Sequence, residues 1–347
     1  MVVAAGSTAP GWLRGPGRTP IIPAPRPSTS QGGTISITGR RETARVYTAL
    51  VFVQIFFGVL PIAVKVALRE MTSPALALLR VAGAALLFRA LHAALVRERI
   101  RDRRDYRMLA AYAVFGVVLN QILYITALSL TTATAAQTLV TAGPAITLLI
   151  AIVARKETAT RLKWAGIAVA GAGALGLVGV GARTGNALGN LLALLNVAAY
   201  SVYLVISRGL LRKYDALTVI TWVFTFGVVG MLPWGIVPLA RQAGHLHGQT
   251  WAALAFIITL PTVGAYWLNV YALKRVESSV VSVFVYLQPV ITALVAIPAL
   301  HERVSPRMLP AALLIFAGVA LTVWEGRRER LRRGGTPSPA EQEMVEP

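Results

Sequence analysis

Pro144-Ala-Ile-Thr-Leu-Leu-Ile-Ala-Ile152 returns 145 residues later as Pro289-Val-Ile-Thr-Ala-Leu-Val-Ala-Ile297. The register runs on without a gap in both directions. Ala127-Leu128 aligns with Ala272-Leu273 in front, and Glu157 with Glu302 and Ala172-Gly173 with Ala317-Gly318 behind. Thirteen of the 47 pairs between 127 and 173 are identical, more than shared apolar composition produces by itself. A shorter echo joins Lys65–Arg69 to Arg208–Arg212 at an offset of 143. The chain reads as two copies of one unit.

What the unit contains follows from hydropathy. Of 347 residues 56% are apolar and only 14% charged, far from the usage of soluble domains. The apolar residues fall in blocks of about 20, the length that crosses a bilayer core. They lie near 46–68, 74–96, 108–128, 131–153, 164–182, 187–207, 217–239, 250–273, 278–300 and 308–325. With no water to bond the backbone there, such blocks must be helices. The reading is an all-α integral membrane protein with ten transmembrane helices, five in each copy. The first repeat covers 46–182 and the second 187–325, between tails (1–45 and 326–347) expected to be disordered and cytoplasmic. An odd number of spans per copy inverts the second relative to the first, the arrangement of secondary transporters with a midplane substrate site.

The connecting segments alternate in charge. With the N-terminus inside, the inner segments hold 23 Lys and Arg, and the outer loops hold five (Arg69, Arg183, Arg241, Arg303, Arg307). That asymmetry satisfies the positive-inside rule and places both termini in the cytoplasm. It also accounts for the net charge of +20 without nucleic acid, because the basic residues punctuate apolar blocks rather than forming one face. Absence of cysteine excludes disulfides and thiolate metal sites, and His92, His245, His247 and His301 have no zinc-type spacing. No metal, cofactor or catalytic residue is expected: HExxH, GxSxG and an intramembrane Asp pair are all missing. The expected partners are a small-molecule substrate and membrane lipids, with the oligomeric state open. Cys-free, Ala- and Arg-rich usage points to the bacterial inner membrane.

Polar residues inside spans are functional candidates by default. Lys65 and Arg80 sit at similar outer depth on consecutive helices and either snorkel to headgroups or face a shared vestibule. No Asp or Glu falls mid-span, so a pump-type carboxylate relay has no obvious residue. Asn120, Gln121 and Tyr124 cluster on helix 3, and Gln137 and Thr141 share a stripe on helix 4. Asn196, Tyr200 and Tyr203 share one on helix 6, Trp267 lies on helix 8, and Tyr286 and Gln288 on helix 9. These either line a cavity or bond between helices. Pro144 and Pro289 are matched kink or hinge candidates. Glu157 and Glu302 are repeat-equivalent loop acids, expected to cap the next helix or pair with Arg161 and Arg307. On helix 5 the small residues Ala168, Ala172 and Gly176, beside Gly173 and Gly179, form a stripe expected to allow close helix approach.

The sequence resembles the EamA type of drug/metabolite transporter, and the plant nodulin-21-like (WAT1-related) branch is similar as well. The residues that carry the resemblance are Lys65-Val-Ala-Leu68, Ser73-Pro74, Arg80, Asn120-Gln-Ile-Leu-Tyr124, Ala127-Leu128, Thr134, Pro144-Ala-Ile-Thr147 with Glu157, and Pro289-Val-Ile-Thr292 with Glu302. It covers roughly 46–325. The resemblance implies export or facilitated transport of amino acids, related metabolites or drugs by alternating access. Aromatic organic acids also fit the Tyr-rich stripes. A nucleotide-sugar or lipid-linked-sugar carrier is the alternative within the fold, and a non-transport membrane scaffold the alternative outside it.

Overall fold

Backbone amides buried in lipid must bond to their own chain, and helices are what the chain forms. The computed structural model describes residues 40–184, 186–273, 275, 284–303, 305–306 and 308–332, and no strand occurs among them. The first repeat supplies α1 (Arg40–Ala67), α2 (Ser73–Leu95), α3 (Arg103–Leu130), α4 (Ala133–Val140), α5 (Gly143–Val153) and α6 (Arg161–Thr184). The second supplies α7 (Ala187–Ile206), α8 (Ala216–Gln242), α9 (Gly248–Asn269), α10 (Leu287–Leu300) and α11 (Met308–Arg332).

Eight of these are long and apolar enough to cross a membrane, and α4 with α5 is as apolar taken together but bent by 41° at the break between them. α10 is a shorter apolar helix. The span expected over 278–300 includes residues 278–283, which lie outside the described residues.

Local chemistry sets the helix ends. Asp102, Thr132 and Asp215 accept backbone N–H bonds at the starts of α3, α4 and α8, at 2.9, 3.1 and 2.8 Å. Pro74 occupies the first turn of α2, where no N–H partner is needed. α2, α5 and α10 each give way to a residue with positive φ: Arg97, Arg155 and His301 at 53°, 57° and 53°.

The two halves interlock. α1 packs on α9 and α10 of the second half, and α7 packs on α3 and α5 of the first. α2 lies along α8, where Arg89 donates to Thr225 and lies 5.4 Å from the Trp222 ring, and His92 meets Thr218. α6 lies along α11 through small residues, but not those of the expected stripe. Ala168, Ala172 and Gly176 are exposed, and a Cβ on Gly176 would find only Ala311 at 3.9 Å. The contact runs through Gly166, Gly173 and Gly318, and a Cβ on Gly173 would lie 2.6 Å from the Ala311 carbonyl. Rotation by about 100° per residue separates the two stripes, and spacing alone does not choose between them.

Candidate functional site

Three glutamines meet where the halves cross. Gln288 on α10 donates its amide to Gln54 on α1 at 2.7 Å and accepts from Gln137 on α4 at 2.6 Å. They are 6, 1 and 3% exposed, so the chain of amides is dry and its members satisfy one another. One turn further along α10, Thr292 donates to the Gly58 carbonyl at 2.7 Å. Gly58 allows this approach because a Cβ there would lie 2.7 Å from Ile291. Gln54 was not among the sequence candidates. It is a lone polar residue in an apolar run, and only the crossing of α1 with α10 gives it partners.

Pro289 directly follows Gln288 of this seam, and neither it nor Pro144 is a mid-helix kink. Thr141 and Ala142 form a turn between α4 and α5, and Pro144 follows in the first turn of α5. Val285 and Tyr286 form a turn before α10, and Pro289 stands in its first turn. Pro144 opens α5 after the break that follows α4, and Pro289 stands in the first turn of α10, where a fixed φ suits the helix and a missing N–H costs little.

A second signal recurs at the repeat spacing and was not read from the sequence. α3 contains a π-helical turn over Val114–Leu119, and α9 contains one over Thr259–Gly264, 145 residues on. In α3 the turn brings Gly116 against Tyr203 of α7, where a Cβ would lie 2.6 Å from the ring. In α9 it brings Gly264 near Phe56 of α1, at 3.3 Å. Such turns add one residue to a helix and gather at functional sites.

At one end of the bundle a vestibule of about 520 Å³ opens between Lys65, Arg69, Leu128, Ser129, Thr132, His301, Glu302 and Arg303, among others. Lys65 thus faces a cavity. Arg80 is not among the residues lining this vestibule; its guanidinium lies within electrostatic reach of Tyr124, and its Nη1 is buried with no hydrogen-bond partner. Gln121 Oε1 is likewise buried without a partner, one turn before Tyr124, while Gln121 Nε2 donates to Asn120 at 3.2 Å. Asn196 donates to the Asn120 carbonyl at 2.7 Å, joining α7 to α3.

Other candidates divide. Thr141 is fully buried and bonds back to the Thr138 carbonyl, a local bond. Tyr203 is partly buried 5.7 Å from Tyr200, whose own ring is 44% exposed, and Trp267 is exposed to the same degree. Tyr286 makes an edge contact with Phe316 at 5.4 Å. The stripe read along helix 6 is therefore not one buried face.

The two loop acids differ. Glu302 reaches across to the first half and caps α4. One oxygen accepts from Ala133 N at 2.6 Å, the other from Thr134 N at 3.2 Å and Thr134 Oγ1 at 3.0 Å. Arg307, its expected partner, lies outside the described residues. Glu157 lies 3.8 Å from Lys163, not on Arg161, and Lys163 is held by Glu329 at 2.7 Å and the Thr158 carbonyl at 3.0 Å.

The vestibule end is strapped by Glu70, which accepts from His247 N at 2.9 Å, and by Gln242, which accepts from Thr72 N at 3.0 Å. The Glu70 carboxyl is held below the usual range, first by the His247 backbone N–H, then by the Thr250 hydroxyl. At the opposite, basic end, Lys213 donates to Asp105 at 2.6 Å, and that bond pushes the lysine above its ordinary value.

Residues 45–179 and 187–324 each match the EamA-like transporter family. The chain is similar to an uncharacterized transporter of Archaeoglobus fulgidus, 30% identical over 63% of this chain and 76% of the relative. It is also similar to a WAT1-related protein of Arabidopsis thaliana, 25% identical over 83% and 86%. One solved crystal structure shares the fold, with a TM-score of 0.55 at 20% identity over 82% of this chain and 98% of the other. The chain belongs to the EamA-like transporter family of the drug/metabolite transporter superfamily, and is a multi-pass membrane transporter.

Proposed function

We propose that this protein carries small metabolites, amino acids or aromatic organic acids, across the cell membrane by alternating access as an exporter or facilitator. The observation that carries the reading is the Gln54–Gln288–Gln137 seam. It joins both halves where α10 crosses α1 and meets α4, and α10 carries in its first turn the proline that matches the one opening α5 after its break from α4. Discontinuous helices at a repeat interface are where transporters of inverted architecture hold substrate. Ten spans with both termini inside complete the arrangement, and the vestibule end is then the outer end.

The substrate's charge follows from unmet groups. Arg80 keeps a buried N–H without an acceptor, and Lys65 faces the vestibule. Glu302 faces Lys65 across the vestibule, but Arg80 has no ion pair among the described residues, and an unpaired buried cation is unfavourable until a counter-charge arrives. A substrate carboxylate supplies it, while Tyr124 and Tyr286 offer flat apolar surface with hydroxyl handles.

The test is flux into proteoliposomes with amino acids, aromatic acids and a lipophilic cation. Wild type is compared with Lys65→Gln and Arg80→Gln. Selective loss of anionic and zwitterionic flux is expected. Cation flux that survives both substitutions would instead make this a drug carrier, with the two residues as helix anchors. Absence of flux for every compound would favour a scaffold. Orientation is read separately: the chain has no cysteine, so Gly244→Cys should react with an impermeant thiol reagent on intact cells. Arg99→Cys should react only after lysis.

A further inference from the structure

Four buried side-chain atoms lack a hydrogen-bond partner among the described residues, and two of them flank one tyrosine. Arg80 Nη1, on α2, belongs to a guanidinium within electrostatic reach of Tyr124. Gln121 Oε1 lies on the same buried face of α3 as Tyr124, one turn before it, at the spacing that brings side chains to within about 5–6 Å. The other two, Tyr112 Oη and Glu325 Oε2, stand apart, about three turns earlier on α3 and near the end of α11. Buried polar atoms without partners are rare in native folds, and each calls for a physical reason.

The two unmet groups beside Tyr124 are opposite in kind. Arg80 offers N–H and a positive charge, and no carboxylate pairs with it among the described residues. Gln121 offers a lone pair and no charge. Its orientation follows from its other end: Nε2 donates to Asn120 Oδ1 at 3.2 Å, which turns the oxygen away from Asn120. This turn of α3 is held from α7, where Asn196 donates to the Asn120 carbonyl at 2.7 Å. The π-helical turn over Val114–Leu119 ends immediately before Asn120. Its extra residue rotates everything after it about the helix axis, and so sets the face on which Gln121 and Tyr124 emerge. Arg80 and Gln121 do not bond each other, although each carries what the other lacks. A ligand bearing the inverse pair, an anion beside a donor, meets both at once.

We propose that Gln121 is a specificity-determining residue of the substrate site, accepting a hydrogen bond from the protonated amine of a substrate whose carboxylate is held by Arg80. This deepens the reading of Arg80 as the carboxylate partner and rests on it. It narrows the substrate class to amino acids, ahead of aromatic acids that lack the amine. A neutral acceptor suits the task. Glutamate at this position would pair with Arg80 and cancel the charge that a carboxylate needs, whereas an amide oxygen receives the ammonium and leaves Arg80 available. A buried acceptor also rejects the analogue without the donor, because its oxygen is then desolvated with nothing to bond. The Tyr124 ring, 8% exposed, lies beside both groups and suits an aromatic or apolar side chain on the ligand.

The test is equilibrium binding to the purified full-length protein, which does not depend on transport. The probes are phenylalanine, 3-phenylpropionate, which lacks the amine, and phenethylamine, which lacks the carboxylate. Wild type should bind phenylalanine at least about tenfold more tightly than 3-phenylpropionate. Gln121→Met keeps an unbranched side chain and removes the amide acceptor. It should weaken phenylalanine by about tenfold, leave 3-phenylpropionate within about twofold, and so abolish the preference. The retained binding of 3-phenylpropionate also shows that the variant is folded. Gln121→Glu serves if it is not: this variant should bind phenethylamine better than either acid. Equal binding of phenylalanine and 3-phenylpropionate by wild type, equal weakening of both in Gln121→Met, or no binding of any probe overturns the proposal. Flux in proteoliposomes separates it from the transport reading. Phenylalanine binding that depends on Gln121 in a protein that moves no phenylalanine keeps this assignment and sinks amino-acid transport. Phenylalanine flux that is unchanged in Gln121→Met keeps transport and sinks this assignment.

Discussion

The two helix crossings at the centre of the molecule share a frame and differ in content. Where α10 crosses α1, Thr292 bonds the Gly58 carbonyl and Gln288 bonds Gln54. Where α5 crosses α7, Thr147 bonds Ser201 at 2.9 Å. There the positions matching Gln288 and Gln54 hold Gly143 and Val197, 3.6 Å apart from an ideal Cβ to the valine. The threonine bond, the proline and the helix break were kept in both copies. Polarity was not. One crossing keeps only the threonine bond, and the other adds the only chain of three buried amides among the described residues. In a frame this symmetric, the polar crossing is where selectivity for a substrate can reside.

Breaking the amide chain gives the largest expected effect. Gln288→Leu leaves a buried donor on Gln137 and a buried acceptor on Gln54 unmatched, each costing about 1–3 kcal/mol. Flux per inserted molecule should fall by more than about tenfold. Val197→Ala at the mirrored crossing should leave flux within about twofold, as expected for trimming a small apolar contact. Equal losses in the two would show that the asymmetry carries no function.

The prolines sharpen the same comparison. Pro289→Ala, adjacent to the seam, should reduce flux by about fivefold with insertion and purification unchanged, because a first-turn proline contributes mainly by fixing φ. Pro144→Ala should reduce it less, and the reverse order would move the functional hinge to the first half. Thr292→Val and Thr147→Val test what the crossings share. Each should lower the melting temperature in detergent by a similar small amount, reflecting about 0.6 kcal/mol per interhelical bond.

The smallest effect concerns the Glu70 strap. Because Glu70 is held below its ordinary range, its contribution is present above the unfolded glutamate value and is lost as pH falls through the lowered one. A melting-temperature difference between wild type and Glu70→Gln should exist at about pH 6, above the ordinary glutamate value, and fade as acidification protonates the carboxyl. A difference that persists in acid would mean the strap does not depend on charge.

Much of this was legible in the sequence. The repeat, the apolar blocks and the matched Pro and Glu depend on order along the chain, which one sequence contains. What stayed hidden depends on which helix faces which. Gln54 has no neighbour in sequence that marks it, and its importance comes from residues 234 positions away. Glu302 was read as a loop acid with a local partner, because nothing along the chain announces a bond to residues 133 and 134. The small-residue stripe of α6 was set one face away for the same reason. A period fixes the set of faces, and the fold decides which one turns inward.

The matched π-helical turns at Val114–Leu119 and Thr259–Gly264 also record a history. Such a turn is an α-helix with one residue inserted, and an insertion disturbs the bonding of everything around it. Two independent insertions, at the same place in both copies and both tolerated, would be a coincidence. A single insertion made before the repeated unit was duplicated explains both, and it puts the bulge among the oldest features the two copies share.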